Sequence, residues 1–235
     1  YIRATDISGT TWGTPVAIDV SGVLGQFTNL AIVNGNPALA YYDATNFDLK
    51  YVRATDATGT VWGTPVTLDA TGNVGQYISL VIVNGNPAIS YYDATNFDLK
   101  YVRASDVSGT AWAAPVIIDT TGTLGTYTSL AIVNGNPAIS YYDQTNMDLK
   151  YVRASDASGT AWGTALTIDT TGNTGLNTSL SIVNGNPAIA YYDNINIDLK
   201  YIRAADADGT VWGASVTVAA TGSVGQYPSL AVING

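Results

Sequence analysis

Four copies of one polar loop carry the side chains best suited to chemistry. They hold Asp43, Asn46 and Asp48; Asp93, Asn96 and Asp98; Asp143, Asn146 and Asp148; and Asp193, Asn196 and Asp198. Two nearby carboxylates can serve as the acid and base of glycoside cleavage. Their oxygens also suit calcium, and with Asn they can bond sugar hydroxyls. The plainer reading is a loop that bonds its own backbone, with Asp98 pairing with Lys100. Repetition favours binding over catalysis. An enzyme needs one asymmetric site, whereas several modest sites sum to avidity. These residues are the candidate ligand site. Calcium, held weakly at the same loops, is the one cofactor they suggest.

A second set recurs as Asp6, Asp56, Asp106, Asp156 and Asp206, each followed by Trp12, Trp62, Trp112, Trp162 or Trp212. One carboxylate per turn is a poor cation cage. These Asp residues read as caps on backbone N–H groups, and each Trp as packing between neighbouring units. Both sets are expected to be structural. Tyr91 and Tyr92, with their copies, read as core on opposite strand faces.

Composition removes other chemistry. The chain has no Cys, no His and no Glu, and all eighteen acids are Asp. Thiol chemistry, the commonest general base and imidazole metal sites are thereby excluded. A net charge of −9 opposes binding to nucleic-acid backbones or anionic membranes. No apolar run is long enough to insert into a membrane as a helix.

The elements that position these residues follow from a period of fifty. Units begin at Tyr1, Tyr51, Tyr101, Tyr151 and Tyr201, and the last stops at Gly235 after thirty-five residues. The spacing predicts strands at Leu80–Val83, Pro87–Tyr92, Leu99–Ala104 and Trp112 to about Ile118. Asn84-Gly85 is a type I′ hairpin signal, since both positions need φ > 0. No stretch has helical periodicity, and Gly, Pro and β-branched residues recur throughout. Four short antiparallel strands with bulk on both faces fit a β-propeller blade packed between two neighbours.

Thr55-Asp56-Ala57-Thr58-Gly59-Thr60-Val61-Trp62 and its copies resemble the Asp-box of sialidase-type propellers, S-x-D-x-G-x-T-W, with one extra residue between Asp and Gly. In that family the box is a structural hairpin between the third and fourth strands of a blade. The chain also resembles highly repetitive bacterial β-propellers, and in size the five-bladed tachylectin-type lectins, although no sugar-binding motif of theirs matches. Kelch repeats have a similar period, but their paired glycines are missing. The resemblance suggests a clamp of Arg3, Arg53, Arg103, Arg153 and Arg203 on a substrate carboxylate. Each Arg, however, stands three residues before the Asp of its own turn, which predicts a local ion pair instead. The Tyr–Glu pair of sialidases has no Glu here.

The expected fold is all-β, a five-bladed β-propeller of four-stranded antiparallel blades. It forms a single domain over residues 1–235, with one composite blade made by the two chain ends. That blade would unite Leu230–Ile233 with Tyr1–Asp19 and lacks a second strand. The mid-repeat start suggests a processed product or a fragment. The missing strand is expected to lie outside this sequence, lost to truncation or donated by a neighbouring chain. The leading functional reading is a non-catalytic, multivalent, carbohydrate-binding or adhesin-like protein, secreted or at the cell surface. Its partners would be a glycan or another surface protein, with no nucleic acid and no membrane insertion. A structural array from a longer surface protein is the second reading, and a sialidase-type glycoside hydrolase the third.

Overall fold

Each unit's second strand carries the Asn-Pro-Ala-x-x-Tyr-Tyr-Asp run, and everything else in the unit is arranged about it. The computed structural model describes residues 1–233. The first sheet contains β1 (Leu24–Val33), β2 (Asn36–Asp43), β3 (Asp48–Arg53) and β4 (Val66–Asp69). The second contains β5 (Val74–Val83), β6 (Asn86–Asp93), β7 (Asp98–Arg103) and β8 (Val116–Asp119). The third contains β9 (Leu124–Val133), β10 (Asn136–Asp143), β11 (Asp148–Arg153) and β12 (Leu166–Asp169). The fourth contains β13 (Thr174–Val183), β14 (Asn186–Asp193), β15 (Asp198–Arg203) and β16 (Val216–Ala219). Every sheet is a four-stranded antiparallel meander in sequence order, and the described residues contain no helix.

Local chemistry sets the registers. Asn84 and Gly85 adopt φ of 45° and 81°, the two positive values of a type I′ turn, and Val83 pairs directly with Asn86. β6 is buried on both faces, as its continuous bulk requires. The first strand of each sheet is longer than the spacing suggests. β5 begins at Val74 because a bulge between Gln76 and Ser79 lets pairing resume. The fourth strand is shorter. Trp112 forms only an isolated bridge with Ala104, and the regular strand starts at Val116.

Successive sheets pack face to face in a β-propeller-like series, with β1, β5, β9 and β13 adjacent along one side. The apolar core lies between the sheets. One cluster joins Val33, Ala38, Ala40, Leu49 and Tyr51 of the first sheet to Ile78, Leu80, Ile89, Tyr91 and Val102 of the second. Equivalent clusters join the second to the third and the third to the fourth. Burial of each large aliphatic side chain there contributes about 1.5–3 kcal/mol.

The chain ends flank this series. Tyr1 N donates to Val16 O at 2.9 Å and Val16 N to Tyr1 O at 2.7 Å. Residues 224–233 form no regular strand, contrary to the expectation for Leu230–Ile233. Leu230 N donates to Ser179 Oγ of β13 at 3.0 Å, as Leu180 N does to Ser129 Oγ.

Candidate functional site

The polar loops and the inter-unit linkers share one rim of the sheets. Leu124 N, where the linker enters β9, donates to Phe97 O of a loop at 2.9 Å. Within the loop, Asp93 is fully buried. Its Oδ1 accepts N–H from Thr95 at 2.9 Å and Asn96 at 3.0 Å, and its Oδ2 accepts the Asn96 side chain at 3.0 Å. Asp43 with Asn46, Asp143 with Asn146 and Asp193 with Asn196 repeat the pattern. The first Asp and the Asn of each loop therefore staple the turn.

The same Asp93 carboxylate meets Lys100 at 3.0 Å, and Lys100 meets Asp69 of the preceding sheet at 2.9 Å. The Tyr91 hydroxyl donates to Asp69 at 2.7 Å. Lys50 with Asp19 and Asp43, Lys150 with Asp119, and Lys200 with Asp169 and Asp193 repeat this clasp. Burial alone would raise the Asp93 carboxyl, but bonds from Asn96 and Lys100 hold it below its ordinary value. The expected Asp98–Lys100 pair does not form. Lys100 is taken by the two buried carboxylates, which meet no other cation among the described residues.

The second Asp of each loop is left in a different state. Asp98 stands opposite Asp93 in the β6–β7 register. Burial raises its carboxyl above the ordinary value, and the Asp93 charge adds to this against the pull of Lys100. Asp48 and Asp148 are raised likewise, by burial and then by Asp43 or Asp143. Asp198 occupies the same register position opposite Asp193. Each loop thus pairs a stapled carboxylate with one that no hydrogen bond holds.

Beside these loops lies a site that the sequence reading missed. Phe27, Tyr77, Tyr127, Asn177 and Tyr227 occupy one position in five units, just at the bulge, all with φ between 51° and 56°. This left-handed conformation is uncommon for aromatic residues. The ring centroids of Phe27 and Tyr77 lie 4.7 Å apart, and those of Tyr77 and Tyr127 lie 4.6 Å apart. Tyr77, Tyr127, Asn177, Thr128, Thr178 and Tyr227 line a cavity of about 230 Å³. Burial, then Tyr127, pushes the Tyr77 hydroxyl up to about 12. Tyr92 links the cavity to the loop. Its ring centroid is 6.2 Å from that of Tyr77, and its hydroxyl is raised by burial and by the charges of Asp93 and Asp98. The signal in the sequence was an aromatic two residues after the linker glycine in four of the five units, as in Gly75-Gln76-Tyr77.

The Asn-Gly turns and the Asp-box-like turns share the opposite rim, as the strand order requires. Asn134 Nδ2 donates to Asp208 of the next sheet at 2.8 Å. Asp106 accepts N–H from Ser108, Thr110 and Ala111. Burial opposes ionisation there, but these bonds bring the carboxyl down to about 2. Asp6, Asp56, Asp156 and Asp206 make equivalent bonds. Trp112 is half-buried, donates to Gly109 O at 2.8 Å and packs edge-on against Tyr51 of the preceding unit at 5.0 Å. Trp62, Trp162 and Trp212 repeat this contact with Tyr1, Tyr101 and Tyr151, while Trp12 is exposed.

Arginine goes elsewhere than expected. Arg103 donates to the carbonyls of Val83 and Asn84 at 2.9 Å each, not to Asp106. Asp106 already spends its oxygens on its own turn, so the guanidinium caps the neighbouring hairpin. Arg53, Arg153 and Arg203 cap their hairpins likewise, Arg153 also meets Asp208 of the next sheet at 3.1 Å, and Arg3 donates to Ala57 O at 3.1 Å, so the five guanidinium groups are held apart and do not converge on one clamp. Among the described residues no cluster of three or more acidic side chains could hold a metal ion.

No protein-family model matches this chain, and no curated protein matches it in sequence. Solved structures do share the fold. An exo-β-1,3-galactanase from Phanerochaete chrysosporium aligns with a TM-score of 0.57 at 11% identity, covering 92% of this chain and 52% of its own. A Hadza microbial sialidase aligns with a TM-score of 0.60 at 15% identity, covering 83% and 47%. A GH62 hydrolase in complex with xylotriose gives 0.56 at 12% identity, covering 89% and 72%. The chain spans about half the length of the galactanase.

These neighbours correct two expectations. The neighbours are glycoside hydrolases and a sialidase, and this finding stands against the expectation of a non-catalytic binding module and of a chain without enzymatic activity. The argument from repetition treated the loops as equivalent, but the residue at the neighbouring bulge is Phe27, Tyr77, Tyr127 and Asn177 in turn, so the surroundings of the four Asp pairs differ.

Proposed function

We propose that this chain is a glycan-cleaving β-propeller acting on a neutral oligosaccharide at the tyrosine-lined cavity. The observation that carries this reading is the Asp93–Asp98 pair, in which one carboxyl is held down and its neighbour is raised. Such divergence marks acid and base roles. Asp93 is enclosed by Asn96 and Lys100, so its part is to keep Asp98 protonated at higher pH. Asp98 donates its proton to the glycosidic oxygen as the bond to the anomeric carbon breaks. Water adds at that carbon and returns a proton to the Asp98 carboxylate. Tyr77 and Tyr127 offer ring faces for the sugar, and Asn177 and Thr128 offer bonds to its hydroxyls. No cation lines the cavity, and the net charge of −9 disfavours an acidic sugar. The galactanase and the GH62 hydrolase were solved with galactotriose and xylotriose, which are neutral.

This reading includes a fifth blade to which both chain ends contribute. Its support is that Tyr227 shares the cavity with Tyr77, and that Leu230 reaches Ser179 as Leu130 reaches Ser79. A glycan substrate also agrees with a secreted or cell-surface location. The test is reducing-end release from β-1,3-galacto- and xylo-oligosaccharides. Hydrolysis lost on joint Asp→Asn substitution at Asp48, Asp98, Asp148 and Asp198, in a variant that melts normally, supports the reading. No release from either substrate, or release unchanged in the variant, overturns it.

A further inference from the structure

The basic side chains are not all neutralised in the same way. Lys50, Lys100, Lys150 and Lys200 each lie between two carboxylates. Arg153 meets the Asp208 carboxylate of the next sheet at 3.1 Å. Arg53 and Arg103 form no ion pair among the described residues, although they cap their hairpins as Arg153 does.

One residue makes the difference. The turn facing Arg53 carries Ser108, the turn facing Arg103 carries Ser158, and the turn facing Arg153 carries Asp208. The backbone of the three turns is placed alike. The hydroxyls of Tyr51, Tyr101 and Tyr151 donate to the carbonyls of Ser108, Ser158 and Asp208 at 3.2, 3.1 and 3.0 Å. At the third place Asn134 Nδ2 and Arg153 Nη2 converge on Asp208 Oδ1, at 2.8 and 3.1 Å. Asp208 therefore shows what this pair of donors accepts, which is a carboxylate oxygen. At the other two places the carboxamide reaches only a serine hydroxyl. Asn34 Nδ2 lies 3.2 Å from Ser108 Oγ, and Asn84 Nδ2 lies 3.4 Å from Ser158 Oγ.

There is room beside these donors. Arg53, Thr55, Thr64, Ser108 and Thr110 line a cavity of about 230 Å³ between the first and second sheets. The nearest turn acid does not fill it, because Asp106 accepts N–H groups of its own turn. Arg53 engages Val33 and Asn34 through Nε and Nη2, and its Nη1 has no partner among the described residues. Both places lie between complete four-stranded sheets, the first with the second and the second with the third.

We propose that Arg53 with Asn34, and Arg103 with Asn84, are two sites for the carboxylate group of a small organic acid. One oxygen takes the position of Asp208 Oδ1, between the guanidinium Nη2 and the carboxamide. The other faces the unused Nη1, which gives the forked contact that arginine offers a carboxylate. The serine hydroxyl, displaced from the carboxamide, turns to donate to the same anion. The place at Arg153 is filled by the chain's own Asp208 and takes no ligand.

The test is titration with sodium acetate against sodium chloride at constant ionic strength, read from the arginine Nε–H signals in nitrogen-15 NMR spectra. The signals of Arg53 and Arg103 should shift saturably with acetate, and that of Arg153 should not. Ser108→Asp should abolish the response of Arg53 and leave that of Arg103. Asp208→Ser should confer a response on Arg153. Each substitution installs a residue that an equivalent turn already carries, so folding is preserved. The proposal is overturned by an absence of saturable shifts at Arg53 and Arg103, or by an equal shift at Arg153 in the unaltered chain. It is overturned equally by an Arg53 response that survives Ser108→Asp, or by an Arg153 that stays silent in Asp208→Ser. None of these readouts depends on glycan cleavage.

Discussion

The ammonium group of Lys100 lies 2.9 Å from Asp69 on the neighbouring sheet, with both side chains almost wholly buried. The clasp is therefore interior and is scarcely screened by solvent. Lys100→Ala would leave Asp69 and Asp93 as buried carboxylates without a cation. The expected cost is about 3–5 kcal/mol, read from urea unfolding midpoints. Burial lowers the Lys100 ammonium, but its two Asp partners raise it above 10.5 overall. Its contribution is thus complete below 10.5 and is lost as pH rises through the folded value. A melt that is flat across that range would contradict the clasp.

Asp98 should behave in the opposite manner. Its raised carboxyl binds its proton more tightly in the folded state, so stability falls as pH rises above 3.8. Asp98→Asn should raise Tm at pH 7 and flatten the profile over that window. A loss of stability at pH 7 would show that the carboxylate is anchored.

The Asp-box-like turns set the acid limit. Asp106 and Asp156 are brought down from 3.8 to about 2 by their turn N–H groups. Their contribution is present above 3.8 and disappears as pH falls toward 2. Acid unfolding should steepen in this window. Asp106→Asn, which keeps the shape without the charge, should reduce the slope. An unchanged slope would assign acid unfolding to other groups.

The tryptophans should not be equal. Trp112→Ala removes a half-buried ring, an edge-on contact with Tyr51 and a bond to Gly109. A cost of about 2–3 kcal/mol is expected, below that of a fully buried aromatic. Trp12 is 58% exposed, so Trp12→Ala should cost less than about 1 kcal/mol. Equal costs in denaturant titrations would mean that Trp12 is covered in solution.

Tyr77→Asn places at the bulge the residue that Asn177 already supplies at φ 53°. Asn tolerates this conformation better than Tyr, which offsets part of the lost ring packing. Tm should change by only a few degrees, while KM for an oligosaccharide substrate should rise several-fold. A rise in KM without effect on kcat would assign Tyr77 to sugar binding alone.

Much of the fold was legible because it is governed by neighbours in the chain. Asn84-Gly85 fixed a hairpin, and Asp106 capped the N–H groups just after it. The period set the four-stranded make-up of each sheet, while the described residues show four such sheets of sixteen strands where five blades were expected. The partners of charged side chains were less legible. Lys100 was matched with Asp98, two residues away, yet it reaches Asp69, thirty-one residues back. Arg103 was matched with Asp106, yet it caps carbonyls of the adjacent hairpin.

By itself the sequence determined what depends on local stereochemistry and side-chain period, namely all-β structure, meander order and the rim on which each loop lies. Only the tertiary structure decided which carboxylate of each pair is stapled, and that the carboxyls of Asp48, Asp98 and Asp148 are raised. Desolvation and charge depend on what the next sheet brings against a residue, and no spacing along one chain encodes that directly. The same holds for Tyr77, whose neighbours Phe27 and Tyr127 lie fifty residues away on either side.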